Sequence, residues 1–144
     1  MTARQWLVAL VARMRRLRSP LTLGERGERL ACRHLRRQGM RIVEARYRLV
    51  YGEIDVVAVD GQTLVFTEVK TRRSEAQGRP AEAIDARRRR RLIRAAAAFL
   101  KSHQLLGYPS RFDVVEVIWP RDAAPTVRHF RHAFVAEGSH QFYR

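Results

Sequence analysis

Asp60-Gly61 stands between two extended runs, Glu53 to Val59 and Thr63 to Arg72, and it constrains the chain more than any other feature. Glycine accepts the positive φ of a two-residue turn, so the dipeptide joins the runs as an antiparallel hairpin. A sheet must then be covered. Upstream, Leu23 to Gln38 reads as a helix closed by Gly39, and Arg41 to Leu49 as a further strand. Downstream, Arg73 to Pro80 is a loop. Ala81 to about Ser102 is a long helix with Ile84, Arg88, Leu92, Ala95, Ala96 and Phe99 roughly along one stripe. Phe112 to Trp119 is a strand stopped by Pro120, and Thr126 to Val135 is an edge strand. Helix, three strands, helix, strand, with a fifth strand to follow, describes an α/β domain on a mixed sheet flanked by helices. It spans residues 23–136, between an N-terminal extension of residues 1–22 and a polar tail of residues 137–144.

The hairpin also positions charge. Side chains alternate along a strand, so Glu68 and Lys70 share a face while Val69 points the other way. If the turn is Asp60-Gly61, Asp55 lies opposite Phe66 and diagonal to Glu68. If it is Gly61-Gln62, Asp55 lies directly opposite Glu68. Either register puts Asp55, Glu68 and Lys70 on the face that carries Val57, Val59, Leu64 and Phe66, where an apolar surface runs out. Glu28 falls on the helix stripe of Gly24, Ala31 and Leu35, which must pack on the sheet. A carboxylate there is costly without a cation or donors. Carboxylates converging beside a lysine suit a hard divalent cation, Mg²⁺ or Mn²⁺. No calcium-loop pattern and no paired Cys/His spacing is present. The plainer alternative is an ordinary Glu68–Lys70 ion pair, with Asp55 capping or pairing with an arginine.

Several motifs in order resemble the YraN family: Gly24, Gly27-Glu28 and Ala31; Gly52-Glu53-Ile54-Asp55; Phe66-Thr67-Glu68-Val69-Lys70-Thr71-Arg72; Gly78 with Pro80; and Arg111-Phe112-Asp113-Val114. The resemblance covers roughly Leu23 to Trp119. It implies a restriction-endonuclease-like core of the PD-(D/E)xK nuclease type, αβββαβ, similar to Holliday-junction resolvases. It implies Glu28, Asp55 and Glu68 as metal-site carboxylates, with the Val69 carbonyl as a further ligand and Lys70 as the catalytic lysine. Thr67 departs from the family's usual hydrophobic residue, and Arg87 lies near a common lysine.

The chain has 144 residues, 46% of them hydrophobic, enough for one folded domain. Its 29 basic residues against 14 acidic ones leave a net charge of +15, which favours polyanionic partners. All the basic residues except Lys70 and Lys101 are arginine. Lysine can give up a proton where arginine cannot, which draws attention to Lys70. Arg72, Arg73, Arg79, Arg87, Arg88, Arg90 and Arg91 are the expected phosphate contacts, although a solvated helix face accounts for any one of them as well. Residues 1–21 read as a short basic helix with Trp6, Leu7, Leu10, Met14 and Leu17 at helical spacing. A loosely attached extension is the simplest reading, and a helix lying on a membrane or packing on the domain is the alternative. Cys32 alone allows no intramolecular disulfide and suits a reducing, cytoplasmic setting. The five histidines lack ligand spacing; His129 and His132 are placed on a terminal strand near solvent, and Asp113 is given a structural hydrogen-bonding role.

These observations point to a metal-dependent endonuclease acting on structured or branched DNA, with a homodimer possible by analogy with resolvases. The competing reading is a nucleic-acid-binding module in DNA processing that keeps the site's shape without turnover.

Overall fold

The structure is a computed structural model, and it describes residues 2–18, 20–50, 52–75 and 84–136, with the side chains of residues 16–18 excepted. The expected loop residue Arg79 and the polar tail lie outside the described residues. Two helices, α1 (Ala3–Arg18) and α2 (Leu23–Arg37), precede strands β1 (Arg41–Leu49), β2 (Gly52–Asp60) and β3 (Thr63–Arg72). Helix α3 (Ala86–Ser102), β4 (Ser110–Ile118) and β5 (Thr126–Phe134) follow. The strands form one sheet in the order β1-β2-β3-β4-β5. Only β3 and β4 run parallel, and α3 supplies the crossover that parallel neighbours require. The α/β class and the fifth strand are as the sequence patterns indicate.

The two helix stripes cover opposite faces. Ala31 and Leu35 of α2 pack on Val56, Ala58, Val65 and Val117. Leu92, Ala96 and Phe99 of α3 pack on Val57, Leu64, Phe66 and Phe112. Helix α2 starts at a capping box: the Thr22 side chain accepts from the Glu25 N–H, and the Glu25 side chain accepts from the Thr22 N–H. Helix α3 starts later than its apolar pattern suggests, because the Asp85 side chain accepts from the Arg88 N–H and caps the helix there.

Asp60 pairs with Thr63, so the turn residues are Gly61 and Gln62, with Gly61 at φ 61°. A glycine in the first central position suits a type II′ turn. This selects the register that aims Asp55 at Glu68. Beyond it, β2 departs from simple alternation. Ile54 and Val56 have the same parity, yet Ile54 packs in the α3-side cluster and Val56 in the α2-side cluster. Across from this switch, β1 is irregular between Ile42 and Glu44, and Arg46 takes a left-handed φ of 55°. Asp55 therefore sits where the sheet's two faces exchange, within reach of both covering helices.

On helix α1, Trp6, Leu7, Leu10 and Met14 are exposed. Among the described residues, no helix is long and apolar enough to cross a membrane.

Candidate active site

Glu28, Glu53 and Asp55 each offer a carboxylate oxygen, and these oxygens lie within 4.8 Å of one another. They come from α2 and from the start of β2. Asp55 is held from behind, because the Val69 N–H donates to its Oδ2 at 2.8 Å. The bond ties the start of β2 to the end of β3 at the point where the ladder ends, at Val56–Thr67. Glu68, almost fully buried, faces a cavity of about 370 Å³ lined also by Glu28, Glu53, Asp55, Arg88, Arg91 and Leu92. The structure thus brings Glu28, Asp55 and Glu68 to one cleft, with Glu68 outside the group of three mutually close oxygens and Lys70 not among the residues that line the cavity.

Negative charge is crowded there. Burial pushes the Asp55 carboxyl up to about 8, with Glu68, Glu28 and Glu53 adding to the rise and the Val69 N–H opposing it. Burial also raises the Glu68 carboxyl, against the pull of Arg88, the hydrogen bond with Asp55 and the charge of Lys70. Three arginines act as counter-cations, the most distant being Arg48, 3.8 Å from Glu53. Arg88 Nε lies 2.5 Å from Glu68 Oε1, and Arg46 Nε donates to Glu28 Oε2 at 2.5 Å while reaching towards Glu25. Lys70 is half-buried next to Glu68 in sequence and close enough to lower its affinity for a proton.

The residues present fit a divalent cation. Three mutually close carboxylate oxygens offer the hard donors such an ion takes. Glu53 did not emerge as a ligand from the sequence, although its spacing of two residues from Asp55 already puts the pair on one face. Arg46 has no such signal; its place follows from the left-handed backbone.

The arginines divide by environment. Arg87, Arg88, Arg90 and Arg91 are exposed on α3, Arg88 in its ion pair with Glu68. Arg89 is drawn inward, its Nε donating to the Ile84 carbonyl and its guanidinium 5.6 Å from the Phe134 ring. Arg73 is exposed and donates to the Trp119 carbonyl at 3.2 Å. Arg72 requires correction as a phosphate contact. It is 7% exposed and lies 2.7 Å from the buried Glu116 of β4, because the sheet covers this end of β3.

His129 also differs from its expected position near solvent. Its ring is buried, with Nε2 2.8 Å from Asp113 Oδ2 and Nδ1 3.2 Å from His34 Nε2. Arg111 and the His132 N–H complete the shell around Asp113. Burial alone raises the Asp113 carboxyl, but hydrogen bonds from His129 and Arg111 outweigh it and hold the group below its ordinary value. This network fastens β4 to β5 and makes no contact with the carboxylate cleft, in keeping with a structural role for Asp113.

Mixed sheet, covering helices and a carboxylate cleft at the start of β2 together define an α/β core consistent with the restriction-endonuclease-like class. The chain belongs to the uncharacterised protein family UPF0102, the YraN family, whose model matches residues 27–117. That span takes in Glu28, Glu53, Asp55, Glu68 and Lys70 and leaves α1 outside. The chain is 42% identical over 113 residues to a UPF0102 protein of Geotalea uraniireducens, covering 78% of this chain and 89% of that one. It is 46% identical over 115 residues to one of an Arthrobacter species, covering 80% and 98%. A third, from Rhodopirellula baltica, is 43% identical over 125 residues, covering 84% and 75%.

Proposed function

We propose that this protein is a metal-dependent endonuclease that hydrolyses phosphodiester bonds in structured or branched DNA. The observation that carries the reading is the meeting of Glu28, Glu53 and Asp55 oxygens within 4.8 Å, in a cleft that Glu68 completes beside Lys70. Asp55 and Glu28 would hold Mg²⁺ or Mn²⁺, with Glu53, Glu68 and the Val69 carbonyl available to fill the shell, and the ion would supply Lewis acidity at the scissile phosphate. Lys70 orients the attacking water, helps remove its proton and offsets the charge that develops on the phosphate. The Val69 N–H fixes the Asp55 carboxylate in a single orientation. Arg88 is the counter-cation of Glu68, and its exposed place on α3 leaves it open to a substrate phosphate once a cation takes over that role.

The test is incubation of junction, flap, single-stranded and linear DNA with Mg²⁺ or Mn²⁺, comparing wild type with Asp55→Ala and Lys70→Ala. Cleavage by wild type alone supports the enzyme. Equal binding without cleavage by any of the three supports a silent binding module, and equal cleavage by all three means the site is wrong.

A second reading concerns residues 1–21 alone. The exposed Trp6, Leu7, Leu10 and Met14, with Arg4, Arg13 and Arg15 on the same helix, favour contact with an anionic membrane surface. Flotation with anionic liposomes, with and without residues 1–21, tests it: retention of binding without the helix rules it out.

A further inference from the structure

The carboxylate cleft opens into basic ground on two sides. Towards α2 it adjoins a groove of about 960 Å³, and both are lined by Glu28 and Asp55. Arg29, Arg33 and Arg36 line that groove. Their spacings of four and three residues stack them on one face of α2, over about 10 Å of helix. All three are exposed, and among the described residues none of them makes an ion pair. Arg46, in the same groove, is different: it is committed to Glu28 and Glu25. Towards α3 the cleft shares Arg91 with a second basic hollow, lined by Arg87, Arg90 and Arg94 as well. These arginines too are exposed and without ion pairs among the described residues.

Three hollows therefore join end to end through shared residues: arginines, carboxylates, arginines. Holding a row of unpaired guanidinium groups together is electrostatically unfavourable unless a polyanion lies along it. A ligand with a single phosphate would engage one row and leave the other facing water. A ligand whose phosphates continue past the cleft in both directions engages both.

We propose that Arg29, Arg33 and Arg36 of α2 and Arg87, Arg90 and Arg94 of α3 are two arms of one phosphate track crossing the carboxylate cleft. The ligand is a polynucleotide backbone held on both sides of the bond to be cut. This rests on the nuclease reading and adds to it a substrate requirement: nucleotides must extend both ways from the scissile phosphate, so chain interiors are taken and mononucleotides are not. The α2 arm is distinct from the arginines around α3 and the β3–α3 loop to which the sequence pointed.

The test measures binding without turnover. Wild-type protein in chelator is titrated with fluorescent oligonucleotides over a range of salt, beside an α2 variant (Arg29→Gln, Arg33→Gln, Arg36→Gln) and an α3 variant (Arg87→Gln, Arg90→Gln, Arg94→Gln). Each released phosphate contact reduces the slope of log affinity against log salt by about 0.7 to 0.9. Either variant should lower the slope by roughly 2 and weaken binding by on the order of tenfold or more. The corresponding lysine variants keep the charge and should keep the slope, which separates loss of contact from loss of fold. An α2 glutamine variant that binds with wild-type affinity and slope, while the α3 variant is impaired, overturns the two-armed track and leaves the nuclease reading standing. Wild type that binds no polynucleotide removes both.

Discussion

At the scale of single residues, Asp55 concentrates the cost of the cleft. Its carboxyl is raised from 3.8 to about 8, so the native state keeps a proton that the unfolded chain has released. Stability then falls as pH rises between these values and levels off above the higher one. The melting temperature of metal-free wild type should therefore drop, relative to Asp55→Asn, across that window. Parallel profiles for the two proteins would show that the rise in the Asp55 pKa is absent. A divalent cation should offset the loss at the alkaline end, where the carboxylate is free to coordinate. Arg88 gives a second prediction. It sits on Glu68 as a counter-cation, so Arg88→Ala should strengthen Mn²⁺ binding by on the order of tenfold through relief of like-charge repulsion. Calorimetric titration of both proteins reads this directly, and weaker binding by the variant would mean that Arg88 assists the ion. Lys70→Ala should abolish metal-dependent cleavage while leaving the melting temperature within a few degrees of wild type, because the side chain is only half-buried.

At the scale of elements, Glu28 reaches the cleft because α2 lies close against β3. A Cβ added at Gly27 would lie 1.8 Å from Thr71 Oγ1, so even alanine forces helix and strand apart. Gly27→Ala should cost about 1–3 kcal/mol in denaturant unfolding and displace the Glu28 carboxylate, lowering cation affinity as well. Thr71→Ala in the same protein should recover part of the loss, since the nearest clashing atoms belong to that side chain. A Gly27→Ala protein of wild-type stability would contradict the packing. Much of this level was legible in the sequence. Ala31 and Leu35 of the apolar stripe are buried on the sheet as its spacing indicates, whereas Gly24 at its start is exposed and Gly27 and Cys32 are buried beside it; the hairpin alternation grouped Asp55, Glu68 and Lys70. What stayed hidden depends on departures from regular geometry. The Ile54/Val56 switch of face and the left-handed Arg46 place Asp55 between two helices, and no periodicity encodes them. Arg72 and His129 were misplaced for a related reason: one strand's pattern does not reveal which neighbour will bury it, and β4 contributes Glu116 and Asp113 at those points.

At the scale of the whole molecule, the net charge of +15 means that binding of a polynucleotide, as proposed, should be strongly salt-dependent and largely indifferent to sequence. The arginines are not spread evenly in function: Arg46, Arg72 and Arg111 are spent on carboxylates within the fold, whereas rows on α2 and α3 remain available to a ligand. The whole account depends on the acidic cleft between those rows being a cation site. Electron paramagnetic resonance of Mn²⁺ titrated into wild type and Asp55→Ala tests that most directly. Wild type should bind the ion with a saturable, immobilised signal that Asp55→Ala lacks; equal binding by the two proteins, or none by wild type, would contradict it.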